Sequence, residues 1–360
     1  MDRRKFIKSA VAGAAATGTV LAKTSLGHAE SKYNWKMVTA WPKDLPGPGT
    51  GANYLARTIE LLSNGRISIT VHPAGELFPA FEVFDAVSRG DAQMGHAGPI
   101  FWKNKHAACL FFTSIPFGLT SHELLTWLDF GGGQILWDEL YARFNLKPFA
   151  VGNSGFQMGG WYNTEINALT DFKGLKIRMP GLGGEILSKT GAIIKNPPPG
   201  DILRALESGE IDGAEWSGPF HDLGMGLYKA AKNYYWPGWH EPGSMIECFI
   251  NKSVYDSLSD ELKEILKMAS LAAYNNLWAE SMANNATALL ELTTRHKVKL
   301  MRFPDTVLMK LAKSSRELTL DIAAGDPLSK KVFASWDDFR NKAIGWAQIS
   351  EEAFSLVRSL

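Results

Sequence analysis

Ile211-Asp212-Gly213-Ala214-Glu215-Trp216-Ser217-Gly218-Pro219 reads as a short strand that ends in an acid beside a large aromatic residue. The segment before it, from Pro199 to Glu210, has the spacing of a short amphipathic helix stopped by a glycine. A carboxylate next to an indole at a strand end, followed by Gly-Pro, directs charge into a cleft rather than into a core. A second stretch, Lys173-Gly174-Leu175-Lys176-Ile177-Arg178-Met179-Pro180, delivers an arginine from the end of another strand. An arginine and an acid placed this way point to recognition of a carboxylate, directly or through a metal ion.

Working outward, Tyr33 to Trp41 alternates like a strand, and Pro42 to Gly51 is a Pro/Gly-rich loop. Leu55, Ile59 and Leu62 give helical spacing over 52–62, and Ile67 to Val71 is a second strand. A helix from Phe81 to Ser88 stops at Gly90 and leads into a strand over 92–96. The order strand, helix, strand favours a parallel sheet with helices on both faces. It recurs after Val151, with strands at 160–163 and 175–178 and a helix at 184–190. Two α/β units imply two lobes with a ligand cleft between them.

Beyond Leu258 the pattern turns helical, with Leu258, Leu262, Ile265, Leu266 and Ala269 on one face, and continues to about Arg295. A short strand over 298–303 follows. After the Gly325-Asp326-Pro327 break, a last helix places Val332, Trp336, Phe339, Ala343 and Trp346 on one face. Such a face packs either on its own lobe or on a partner subunit.

The N-terminus carries a twin-arginine signal: a basic start at Asp2-Arg3-Arg4-Lys5, a weakly apolar stretch from Ser9 to Ala22, and a cleavage site at Gly27-His28-Ala29. The expected compartment is the periplasm. Removing residues 1–29 takes away five basic residues (Arg3, Arg4, Lys5, Lys8, Lys23) and one acid (Asp2), so the net charge moves from +1 to −3. That balance gives no basic surface for nucleic acid. The two cysteines, Cys109 and Cys248, sit in apolar strand-like runs, offer no metal spacing, and are expected as buried free thiols.

The segments Gly152 to Trp161, Gly174-Leu175-Lys176-Ile177-Arg178-Met179-Pro180 and Ile211 to Trp216 resemble the extracytoplasmic solute receptors of tripartite ATP-independent periplasmic (TRAP) transporters. The resemblance is strongest to the 2-oxoacid and lactate (mannitol/chloroaromatic-type) branch, and it runs from about Trp35 to the C-terminus. It implies an α/β periplasmic binding protein of two lobes with a long C-terminal helical region. The implied division is 30–152 plus about 242–295 for one lobe, 153–241 plus about 296–325 for the other, and 326–360 as a C-terminal dimerisation helix. It further implies a homodimer built by exchanging that helix, and delivery of the ligand to TRAP membrane permease subunits.

By the same resemblance Arg178 would clamp the ligand carboxylate in a bidentate fork. Gln157, Met158, Phe101 and Trp216 would complete the substrate contacts. Sodium or calcium would be held by the Gln157 side chain, the Glu215 carboxylate, the Trp216 carbonyl and the Glu241 carboxylate. Charge balance agrees: one arginine, two glutamates and a monoanionic acid leave two net negative charges, which sodium halves and calcium cancels. One departure stands out, since relatives carry two tyrosines where this chain has Ile100 and Phe101. An apolar wall of Ile100, Phe101 and Trp102 would better suit a branched or aromatic tail.

No Gly-x-Ser-x-Gly elbow, His-Glu-x-x-His helix or phosphate-binding glycine loop occurs, and Asn153-Ser154-Gly155 has no identifiable base. The chain is therefore read as a receptor for a small 2-oxo, 2-hydroxy or aromatic acid, and not as an enzyme. The alternatives are an exported hydrolase or dehydratase, and a sensory binding protein for a membrane kinase.

Overall fold

The computed structural model describes residues 33–358 and Leu360; the signal read over 1–29 lies outside the described residues. Among the described residues eleven strands form two sheets. β1 (Tyr33–Thr39), β2 (Ile67–His72), β3 (Met94–Ala97), β4 (Leu146–Asn153) and β10 (Met245–Asn251) make one sheet in the order β2-β1-β3-β10-β4. β5 (Gly160–Tyr162), β6 (Lys176–Arg178), β7 (Ile193–Ile194), β8 (Gly213–Ala214), β9 (Asn233–Trp236) and β11 (Lys299–Arg302) make the other, in the order β11-β9-β5-β8-β6-β7.

Neither sheet is purely parallel, which corrects the sequence reading. β1 runs parallel to β2 and β3, but β10 lies antiparallel to both β3 and β4. In the second sheet β5 is antiparallel to β8 and β9. The reason is chain return: β10 re-enters the first sheet after the whole second sheet except β11 has formed, and βαβ periodicity carries no information about a strand arriving from another lobe.

Local differences have equally simple causes. The helix expected at 52–62 spans Pro48–Leu62, because Pro48 at its first position lacks the N–H that a helix start leaves unpaired anyway. Cys109, expected in a strand, lies in the 3-10 turn Ala107–Phe112, where an unbroken apolar run reflects burial on all sides rather than a strand period. The helices Ser121–Phe130 and Gly133–Ala142 went unread in the sequence. Both cysteines are buried free thiols, as expected.

The 35-residue helix Asp260–Thr294 packs on β4 and on Pro48–Leu62, and also on the helix Pro219–Met225 of the second lobe. At 1.5 Å per residue it is about 50 Å long, enough to brace both lobes. The C-terminal helix Pro327–Ile349 buries Leu328, Val332 and Trp336 on its own chain, with Trp336 edge-on to Phe111 at 5.6 Å. Trp346, further along the same helix, is 66% exposed. Among the described residues no helix is long and apolar enough to cross a membrane.

Candidate functional site: an arginine and an acidic cluster in the interlobe cleft

β6 and β8 are parallel neighbours with Arg178 in register with Ala214, so the two strands end side by side. The next residue, Glu215, donates its backbone N–H to the Arg178 carbonyl at 3.0 Å. Arg178 Nη1 returns a bond to the Glu215 carbonyl and lies 3.3 Å from Glu215 Oε2. Its guanidinium carbon sits 5.5 Å from the Trp216 ring centre. Arg178 is 3% exposed, yet its Nε has no partner among the described residues. A buried guanidinium N–H left unpaired is costly, so this geometry is built to receive an acceptor.

The loop that carries these groups is pinned from below by Asp222. Its carboxylate accepts from the Ser217 N–H at 2.9 Å, Trp161 Nε1 at 2.8 Å and Tyr234 Oη at 2.7 Å. Burial pushes the Asp222 carboxyl up to about 7 against the pull of those bonds.

The acidic cluster is completed by two further segments. Gln157, between β4 and β5, donates from Nε2 to Glu241 Oε2 and to Ser154 Oγ, each at 2.9 Å. Its Oε1 is buried with no partner among the described residues. His240 Nε2 lies 3.7 Å from Glu215 Oε1, and one ligand atom from each of Glu215, His240 and Glu241 falls within 4.8 Å of the others. Burial pushes Glu215 up, but Arg178 and His240 outweigh it and hold the carboxyl below its ordinary value. Burial and the charge on Glu215 push Glu241 the other way, to about 7. Two buried carboxylates and an unpaired amide oxygen form a hard, oxygen-rich donor set that suits sodium or calcium.

These groups line one cavity of about 60 Å³, together with Trp41, Ile100, Phe101, Trp216, Ser217 and His221. That volume holds on the order of four to six water-sized particles, which fits a small acid beside an ion. Trp41 and Phe101 come from the first lobe; Trp41 meets Trp216 of the second edge-on at 6.3 Å and lies 5.8 Å from Phe101. Sequence reasoning missed Trp41, Ser217 and His221. Trp41 follows β1 at its C-terminal end, where open α/β sheets place ligands, and that position was its available signal.

Two sequence expectations are corrected here. Met158 does not line the cavity; it packs into the second lobe, and its N–H donates to the Ser217 carbonyl at 3.0 Å. The apolar Met158 side chain joins the cluster around Ile202, Ile211 and Tyr234, which shields it from water, while the polar Gln157 amide is left to the cavity. Trp102 is also absent from the wall: it is 1% exposed, and its Nε1 donates to Glu247 Oε1 at 2.5 Å in the first lobe's core.

Ser217 Oγ and His221 Nδ1 are 2.8 Å apart, but the other ring nitrogen faces Ser281 Oγ rather than a carboxylate. Burial pushes His221 down to about 4, far from a working base at neutral pH.

A cleft between two α/β lobes, holding a buried arginine beside a cation-ready acidic cluster, defines a solute-binding receptor. Residues 39–326 match the family described as bacterial extracellular solute-binding protein, family 7, and the chain belongs to that family, whose members bind substrates rather than convert them. It is 36% identical over 358 residues to the monocarboxylate 2-oxoacid-binding periplasmic protein of Nostoc sp., covering 98% of each chain. A TRAP periplasmic solute-binding protein from Pseudoalteromonas atlantica with bound sodium and pyruvate superposes with a TM-score of 0.88 at 35% identity, covering 91% of this chain and 99% of that one. A TRAP transporter solute-binding protein from Bordetella bronchiseptica, a mixed-occupancy dimer with copurified calcium and picolinate, gives 0.88 at 33% identity, covering 92% and 100%.

Proposed function

We propose that this chain is the periplasmic receptor of a TRAP transporter for a small 2-oxo monocarboxylate of pyruvate size, held together with a sodium or calcium ion. The observation that carries the reading is the unpaired Arg178 Nε beside the unpaired Gln157 Oε1 in one buried cavity. A carboxylate satisfies the first and a cation the second. In this reading Arg178 grips the carboxylate, while Gln157, Glu215, the Trp216 carbonyl and Glu241 hold the ion. Trp41, Phe101 and Trp216 wall the acid's carbon chain. Of the relatives named above, the one with sodium and pyruvate supports the 2-oxo acid, and the one with calcium and picolinate supports a monocarboxylate bound beside calcium. The small cavity favours the short end of the range over the branched or aromatic tails expected from Ile100 and Phe101.

The loaded receptor delivers the acid to the membrane permease subunits. It works as a homodimer through its C-terminal helices, for which Trp346 and Ile349 of Pro327–Ile349, with Phe354 and Leu356 of the short helix Glu351–Val357, offer exposed apolar side chains. A second copy is the natural cover for these side chains, and Phe130 and Ile135 offer exposed apolar side chains on the first lobe. Calorimetric titration of pyruvate into residues 30–360, with sodium, with calcium and with neither, tests the ligand reading. Absence of binding in all three would sink it.

A further inference from the structure

We infer that Ile100 sets the chain length of the acid this receptor accepts, by walling the ligand cavity off from a second, larger one in the same cleft. The inference rests on the carboxylate-site reading above. The inner cavity, of about 60 Å³, contains Arg178, Gln157, Glu215 and Glu241. The outer, of about 600 Å³, has a mixed lining, with Phe81, Met179 and Ile194 beside Lys103, Lys105 and Glu185. Ile100, Phe101, Arg178 and Pro180 line both.

Of these four, Ile100 carries the partition across the cleft to Gly181. Ile100 stands in the 3-10 turn Pro99–Trp102 of the first lobe, directly after β3. Gly181 opens the helix Gly181–Ser188 of the second lobe, directly after β6. A Cβ placed on Gly181 would lie 2.8 Å from both Ile100 Cγ1 and Cδ1. The isoleucine therefore abuts bare backbone, and a φ of +63° at Gly181 independently favours glycine there. Outside this contact, Lys103 and Glu185 form an ion pair between the same two lobes.

Ile100 has little room to yield. Two residues on, Trp102 is anchored to Glu247 in the core. Phe101 is wedged between Trp41 at 5.8 Å and Phe81 at 5.1 Å. An acid of three or four carbons with its ion fills the inner cavity. Each further methylene meets the Ile100 side chain, behind which lies the space of the outer cavity that the tail cannot reach. In a hydrophobic pocket one methylene changes affinity by about tenfold to a hundredfold.

The experiment is a calorimetric series with pyruvate, 2-oxobutyrate, 2-oxopentanoate and 2-oxohexanoate, in saturating calcium, on residues 30–360 and on Ile100→Ala and Ile100→Val. The parent is expected to lose at least about tenfold in affinity from pyruvate to 2-oxohexanoate. Ile100→Ala is expected to erase or invert that preference, and Ile100→Val to reduce it. If Ile100→Ala does not fold, Ile100→Val alone decides between the outcomes. A variant that keeps the parent's chain-length profile, or a parent that takes the six-carbon acid as tightly as pyruvate, overturns the inference. A parent that binds no acid with any cation overturns the carboxylate-site reading itself, and the inference with it.

Discussion

Gln157 donates to Glu241 across 2.9 Å, bringing residues 84 apart in sequence together and turning the other end of the amide, Oε1, into an unpaired buried acceptor. A donor spent on one carboxylate and an acceptor left for something else is the arrangement a bound cation completes. It also explains how two glutamates can share a dry cleft with an anionic ligand, since their mutual repulsion needs a counter-charge.

Withdrawing the cation is therefore expected to weaken acid binding strongly. Ion and acid occupy adjoining positions, so each should raise the other's affinity by the same factor. Glu241→Gln should lower both together. The check is a pyruvate titration in sodium-free buffer with a calcium chelator, repeated with each ion restored. Equal affinity in all conditions would remove the ion from the site.

Arg178→Lys is expected to cost about 2–5 kcal/mol of acid binding, the usual loss when one partner of a buried charge pair is cut back. One ammonium cannot both hold the Glu215 carbonyl and fork a carboxylate, nor can it present a flat face to Trp216. Calorimetry on the variant with calcium present decides it, and parent-like affinity would take Arg178 out of the acid's contacts.

Glu247 predicts a pH dependence of stability. It is fully buried in the first lobe, and burial pushes its carboxyl up to about 8. An unfolded glutamate titrates near 4.3. Between those values the native state holds a proton that the unfolded state has released, so stability falls as pH rises through the window. Glu247→Gln keeps a neutral partner for Trp102 and removes the titration. The variant should gain on the parent by on the order of 2–4 kcal/mol between pH 5 and pH 8. Denaturant unfolding at the two pH values measures this, and a stability difference that does not change with pH would contradict it.

The C-terminal helix divides into two parts with different expected roles. Trp336 is 3% exposed on its own lobe, whereas Trp346 is 66% exposed. Deleting 345–360 should leave the fold and the acid affinity intact while converting dimers to monomers. Burying each large apolar side chain of that segment contributes on the order of 1.5–3 kcal/mol to association. Sedimentation equilibrium at micromolar concentration is the readout, and a monomeric parent would dispose of the dimer.

What the sequence determined by itself was local. The period of the apolar residues marked the long helix that the structure places at Asp260–Thr294, and strand-end punctuation marked Arg178 and Glu215 as cleft residues. Their motifs also carried the resemblance to the family. What only the tertiary structure decided was which distant groups meet and which way neighbours face. Parallel pairing of β6 and β8 put Arg178 against Glu215 across 37 residues. Closure of the lobes put Trp41 on Trp216 and Ile100 on Gly181. Phe101 turned into the cleft while Trp102 turned into the core, a choice made by the Glu247 carboxyl waiting on β10. Composition and period act over a turn of helix or a few residues of strand. Register, lobe closure and side-chain direction come from packing between segments that no local pattern connects.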